Sequence, residues 1–168
     1  MDDGYINRPV GRAELEDLSA LATKEEEEFF LRNPHLVSAY HDRLIAVALC
    51  QGSALQYLER GYGVKDFDVH FFYFQNPSKP RLSRSIKRTR STIGAFVDFP
   101  VDFIRSVIPG SVEVRGRHGA GHLVQQFLRD QRTANARYLS KGAVVAISHR
   151  LYSGLFFGTK NSFVPEVL

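Results

Sequence analysis

The chain has 168 residues, 43% of them hydrophobic and 24% charged, which supplies apolar mass for one packed core and argues against a disordered or low-complexity protein. The longest uninterrupted apolar run, Leu44 to Cys50, falls far short of the roughly 20 residues of a membrane helix, and Met1-Asp2-Asp3-Gly4 lacks the basic and apolar regions of a secretory signal. A single cysteine, Cys50, excludes an intramolecular disulfide framework and cysteine-rich zinc sites, so the expectation is a cytoplasmic protein with no membrane partner. A net charge of +4 is small for the whole chain, so any argument about phosphate or nucleic acid rests on where the charges lie.

The acidic end comes first. Leu15, Leu18 and Ala22 recur at three- and four-residue spacing among Glu14, Glu16 and Asp17, which predicts one or two short amphipathic helices. Thr23 with Glu26 three residues on has the form of a capping box, opening a second helix over about Lys24–Leu31, and Asn33-Pro34 opens a third through about His41. The run Glu25–Glu28 reads as a solvated helix face more readily than as a partner-binding patch.

From Arg43 the character changes. Leu44–Cys50 is the continuous apolar run of a strand buried on both faces, ending at Gly52-Ser53. Ala54–Arg60 forms helix, stopped by Gly61-Tyr62-Gly63. Val64–Phe74 alternates, with Asp66, Asp68 and His70 on one face and Phe67, Val69 and Phe71 on the other. Residues 76–92 carry Lys79, Arg81, Arg84, Lys87, Arg88 and Arg90 with no acid, and read as a long basic loop.

Phe96–Ile104 resumes strand alternation, with Val97, Phe99, Val101 and Phe103 opposite Asp98 and Asp102, while Pro100 marks a strand start, edge or bulge. Ile108-Pro109-Gly110 ends that element. A short strand over 111–115, a helix from Leu123 to about Leu139, and strands over 143–147 and 151–157 complete the pattern. The expected architecture is a single mixed α/β (α+β) domain over 1–168, with a helical segment at 11–42 and a motif core at 43–109.

The residues that carry chemistry are Gly52-Ser53, then twelve residues, then Asp66-Phe67-Asp68, and later Asp102. Carboxylates at i and i+2 of a strand project from one face and suit Mg²⁺, which prefers oxygen ligands and keeps positions for water and phosphate. A third carboxylate from a neighbouring strand completes a two-metal site that clamps a phosphoryl group. Gly52 permits close backbone approach, and the Ser53 hydroxyl with the free N–H groups of the following helix can hold phosphate oxygens.

The hydrophobic–Gly–Ser turn, its spacer Ala54–Lys65, the pair Asp66/Asp68 and the later Asp102 together resemble the nucleotidyltransferase superfamily, including its minimal and toxin–antitoxin-related members with a DNA polymerase beta-like fold. The resemblance covers about 43–109. It implies a mixed sheet flanked by helices and a Mg²⁺-dependent transfer of a nucleoside monophosphate from a nucleoside triphosphate, such as ATP, to an acceptor hydroxyl. Asp66 and Asp68 would hold metal, with Asp102 as third ligand or base. Gly52 and Ser53 would hold the triphosphate, and Lys79, Arg84, Lys87 and Arg88 would neutralise it.

Gln51 departs from the pattern, standing where the family has a hydrophobic residue, and Asp98 is framed by hydrophobics as Asp102 is. Asp102 is favoured as third acid because Pro100 makes pairing around Asp98 less regular. The acceptor is open between a protein, an RNA and a small molecule, and a homodimer or protein partner would help a chain this short to recognise it. The alternative is a non-catalytic module of the same fold that holds RNA or another polyanion on the basic segment 79–90. His118 and His122 have helical metal-pair spacing, but Gly119 and Gly121 disfavour a helix there; His70 reads as a half-exposed structural histidine and Cys50 as packing.

Overall fold

The computed structural model describes residues 4–78, 82, 85–109 and 127, and the backbone of 144–148 and 156–157. Leu15, Leu18, Ala22, Phe29 and Phe30 recur at helical spacing and are buried along one face of a single helix, α1 (Arg12–Arg32), where two or more had been expected. Thr23 does not cap a second helix; its Oγ1 donates to the Ser19 carbonyl at 3.0 Å, a bond made inside a continuing helix. The start lies at Gly11, whose N–H donates to Glu14 Oε2 at 2.8 Å. Asn33 ends α1 by donating both its backbone N–H and its Nδ2 to the Phe29 carbonyl, at 3.0 and 2.9 Å. Pro34, with no N–H to satisfy, then opens a 3₁₀ turn (Pro34–Leu36), followed by a one-turn helix α2 (Val37–Tyr40) and a second 3₁₀ turn (His41–Arg43).

The fully buried run Leu44–Cys50 forms strand β1 as expected, and helix α3 (Gln51–Leu58) follows at once. Then come β2 (Phe67–Phe74), β3 (Ser85–Ile93), β4 (Phe96–Ile108), β5 (Val144–Ser148) and the two-residue β6 (Phe156–Phe157). They form one mixed sheet in the order β3-β4-β2-β1-β5-β6, with β2 and β4 parallel and the other pairs antiparallel. The chain thus has the expected mixed α/β fold. The elements expected over 111–115 and about 123–139, and His118 and His122, lie outside the described residues apart from Phe127.

Two corrections concern β3 and β4. Much of the stretch read as a basic loop is strand β3, a hairpin partner of β4 joined through Gly94. Its half-exposed and exposed residues alternate, so hydrophobic periodicity does not mark it. Gly94 (φ +53°) lies beneath α1: its N–H donates to Asp17 Oδ2 at 2.8 Å and that of Ala95 to Glu14 Oε1 at 3.4 Å. In β4, Asp98 takes a positive φ of 45° where the register shifts, and the bulge rotates Val97 out to 74% exposure instead of onto the core face.

The sheet has two unlike faces. Val47, Leu49, Phe67, Val69, Phe71, Val101 and Phe103 form one core with the apolar side of α1. Into this core β4 sends Arg105, 1% exposed, its guanidinium 3.9 Å from the Phe29 ring centre and 4.7 Å from that of Phe71. Arg105 Nη2 donates to the Glu25 carboxylate and carbonyl, each at 3.3 Å. Glu25 also accepts from Arg32 at 3.1 Å and from Lys87. The four-glutamate run is therefore only half a solvated face: Glu27 is exposed and Glu28 partly so, but Glu25 and Glu26 are buried, and Glu25 is the anion on which helix, β3 and β4 converge. The opposite face carries Ala46, Ala48, Cys50, Asp68, His70, Phe72 and Asp102, and there the Phe72 ring meets Phe127 edge-on at 6.2 Å.

Candidate functional site

Strand register assembles the site. Cys50 of β1 lies opposite Asp68 of β2, Asp68 opposite Asp102 of β4, and Asp102 opposite Arg88 of β3. Residues opposite one another project from the same face, so one row across four strands reads Cys50, Asp68, Asp102, Arg88, with about 4.8 Å between neighbouring strands. Asp66 directly precedes β2, two residues before Asp68. All three aspartates are half-buried. Asp98 is not in the row; it lies beyond the β2–β4 pairing, in the bulge, and binds Arg90 at 3.2 Å. Of the two acids that the sequence left as rivals, Asp102 is the one registered with Asp68.

Helix α3 leaves the same end of the sheet, directly after Cys50 of that row. The connection is abrupt enough to hold Gln51 at φ 60°, a conformation that costs a non-glycine residue on the order of 1 kcal/mol. Gly52 and Ser53 therefore occupy the first turn of α3 rather than a loop before it. Ser53 is buried, and its Oγ donates to the Cys50 carbonyl at 3.2 Å, so the hydroxyl braces the strand–helix junction. The backbone N–H groups of this first turn have no partner within the helix itself.

The loop from α3 to Asp66 is organised by a residue that the sequence reading passed over. Gln56 is buried, and its Oε1 accepts from the backbone N–H groups of Gly61, Tyr62 and Gly63 at 2.9, 2.8 and 3.0 Å. Its Nε2 donates to the Arg8 carbonyl at 3.1 Å and Asn7 Oδ1 at 3.3 Å. One side chain thus ties the amino-terminal segment to the turn that delivers Asp66. The only sequence signal was an amide among apolar neighbours in a short helix.

The basic residues divide by strand parity. Lys87 was expected at the triphosphate, but it projects from the opposite face of β3 from Arg88 and pairs with Glu25 and, at 3.6 Å, Glu28 of α1. Arg88 stays on the acid face, its Nε donating to Asp102 Oδ2 at 3.2 Å. Arg90 pairs with Asp98. Lys79 and Arg84 lie outside the described residues.

His70 is buried rather than half-exposed and stacks on Phe72 with ring centres 5.8 Å apart. Cys50 is fully buried; burial first, and then the neighbouring Asp68 charge, push its thiol well above the usual range. It packs in the sheet interior with its thiol held protonated.

Among the described residues, no three histidine, cysteine or carboxylate side chains converge closely enough to hold a metal ion between them. The donor set on the row is two registered carboxylates, with Asp66 in the segment just before β2. That suits a hard cation of the Mg²⁺ type, which takes one or two protein carboxylates and completes its shell with water and phosphate oxygens. No protein-family model, curated protein or solved structure matches the chain. No described helix is long and apolar enough to cross a membrane.

Proposed function

We propose that the chain is a Mg²⁺-dependent nucleotidyltransferase that moves a nucleoside monophosphate from a nucleoside triphosphate to an acceptor hydroxyl. The observation that carries this reading is the registration of Asp68 with Asp102 on one face of the sheet, at the end from which α3 departs. Asp66 and Asp68 would hold the metal, whose contribution is to draw charge from the α-phosphate and the departing pyrophosphate. Asp102 serves as a third ligand or as the base that takes the acceptor proton. The acceptor oxygen then bonds to the α-phosphorus as the bond to pyrophosphate breaks.

Gly52 keeps the first turn of α3 open to close approach by phosphate, while Ser53 fixes the turn's geometry from within. Arg88, on the acid face, would neutralise the triphosphate. The alternative is a polyanion-binding module of the same fold, in which the described cations Lys87, Arg88 and Arg90, each with a carboxylate partner, would exchange that partner for phosphate. The test is turnover: the native chain, Mg²⁺ and each α-labelled nucleoside triphosphate are incubated with protein, RNA or small-molecule hydroxyl acceptors. Label transfer with release of pyrophosphate, lost in Asp68→Asn, supports the reading; metal-independent binding of RNA without transfer favours the alternative.

A further inference from the structure

Arg88 and Asp102 are unequal partners. Asp102 is set among the strands with its side chain 15% exposed, whereas the Arg88 side chain is 79% exposed on β3, which ends the sheet. They are registered opposite each other, and Arg88 Nε lies 3.2 Å from Asp102 Oδ2. On its other side, Asp102 faces Asp68, a like charge about one strand spacing away. The guanidinium thus offsets a repulsion that the sheet builds in by registering two carboxylates.

We infer that Arg88 is an exchangeable counter-ion for Asp102, surrendering that carboxylate when a divalent cation enters the row and then turning to the triphosphate. This rests on the nucleotidyltransferase reading and adds to it an order of events. A divalent ion shared by Asp68 and Asp102 competes with the Arg88 guanidinium for the Asp102 carboxylate and takes over its part in offsetting the repulsion between the two acids. The side chain is long and mostly in water, so it can leave without unpacking the core, and its planar donor fork suits phosphate oxygens. The same cation that weakens metal binding to the free protein would strengthen nucleotide binding to the metal-loaded protein. Arg88 is in this sense a positioning residue for Asp102 as well as a contact for substrate.

The test uses Mn²⁺ alone and then inorganic triphosphate as probes, with the intact chain and its Arg88→Ala, Arg88→Lys and Asp68→Ala variants. Direct titration should show Mn²⁺ bound about tenfold more tightly by Arg88→Ala than by the native chain, the scale set by removing one positive charge near a divalent ion at high effective dielectric. Arg88→Lys should lie between them. With Mn²⁺ present, triphosphate should bind several-fold more weakly to Arg88→Ala. Unchanged Mn²⁺ affinity in Arg88→Ala, with binding lost in Asp68→Ala, overturns the exchange while leaving the metal site standing. No Mn²⁺ binding by the folded native chain, or binding indifferent to Asp68→Ala, overturns both. Thermal unfolding of each variant reports whether it is folded.

Discussion

Asp68 and Asp102 lie opposite one another on the parallel strands β2 and β4, although 34 residues apart in sequence. A one-residue slip in either strand would turn one carboxylate to the α1 face. The register is held by large side chains on that other face, among them Phe67, Val69, Phe71, Val101 and Phe103, all buried in the core. The placement of the acids is thus a consequence of hydrophobic packing on the far side of the sheet.

The buried Glu25–Arg105 pair should be costly to break from one side. Arg105→Leu removes a guanidinium held between two rings and leaves Glu25 with its more exposed partners Arg32 and Lys87. Urea unfolding should show a loss of about 3–5 kcal/mol. The double variant Glu25→Leu, Arg105→Leu should recover part of it.

Gly94→Ala should destabilise the hairpin. The glycine has φ +53°, and an added Cβ would lie 2.1 Å from Glu14 Oε1. Glu14 also bonds Gly11 and Ala95, so moving it disturbs the start of α1. A loss of about 1–3 kcal/mol is expected from chemical denaturation.

Gln56→Ala strips three backbone donors of their acceptor and should lower the midpoint of thermal unfolding, with a stability loss of about 2–3 kcal/mol. Because the turn leads into Asp66, Mg²⁺-dependent nucleotide binding should weaken even where the variant remains folded, as titration below its unfolding temperature would show.

Cys50 gives a pH dependence with a definite sign. Its thiol pKa is raised in the folded chain, first by burial and then by Asp68, so the folded state keeps the proton that the unfolded state releases. The stability this group contributes is full below the unfolded thiol's pKa of about 8.5 and declines above it. Denaturation at pH 7.5 and 9.5 should show that loss reduced in Cys50→Ala relative to the native chain. A thiol reagent should modify Cys50 only on unfolding.

Much of this fold is legible in the sequence because its central strands are apolar or alternate cleanly. Leu44–Cys50 and Phe67–Phe74 declare themselves, and Asp68 takes its face from strand period alone. Strand β3 was not legible, since Ser85–Thr92 is mostly polar on both sides and gains its structure chiefly from pairing with β4, with only Ile93 buried in the core. That failure misplaced Lys87, for which only strand parity decides between α1 and the acid face. The glutamate run misled for another reason: Glu25 is buried through ion pairs with Arg105, Arg32 and Lys87, partners scattered along the chain. Val97 was misassigned because a single positive φ at Asp98 resets the alternation.

Metal-dependent nucleotide binding by the acid row is read by calorimetric titration of ATP, GTP, CTP and UTP, with and without Mg²⁺, into the native chain and the Asp66→Ala, Asp68→Ala double variant. Binding of at least one nucleotide should require Mg²⁺ and vanish in the folded double variant. Absence of Mg²⁺-dependent binding to the folded native chain, or equal binding by the double variant, would contradict the proposed function.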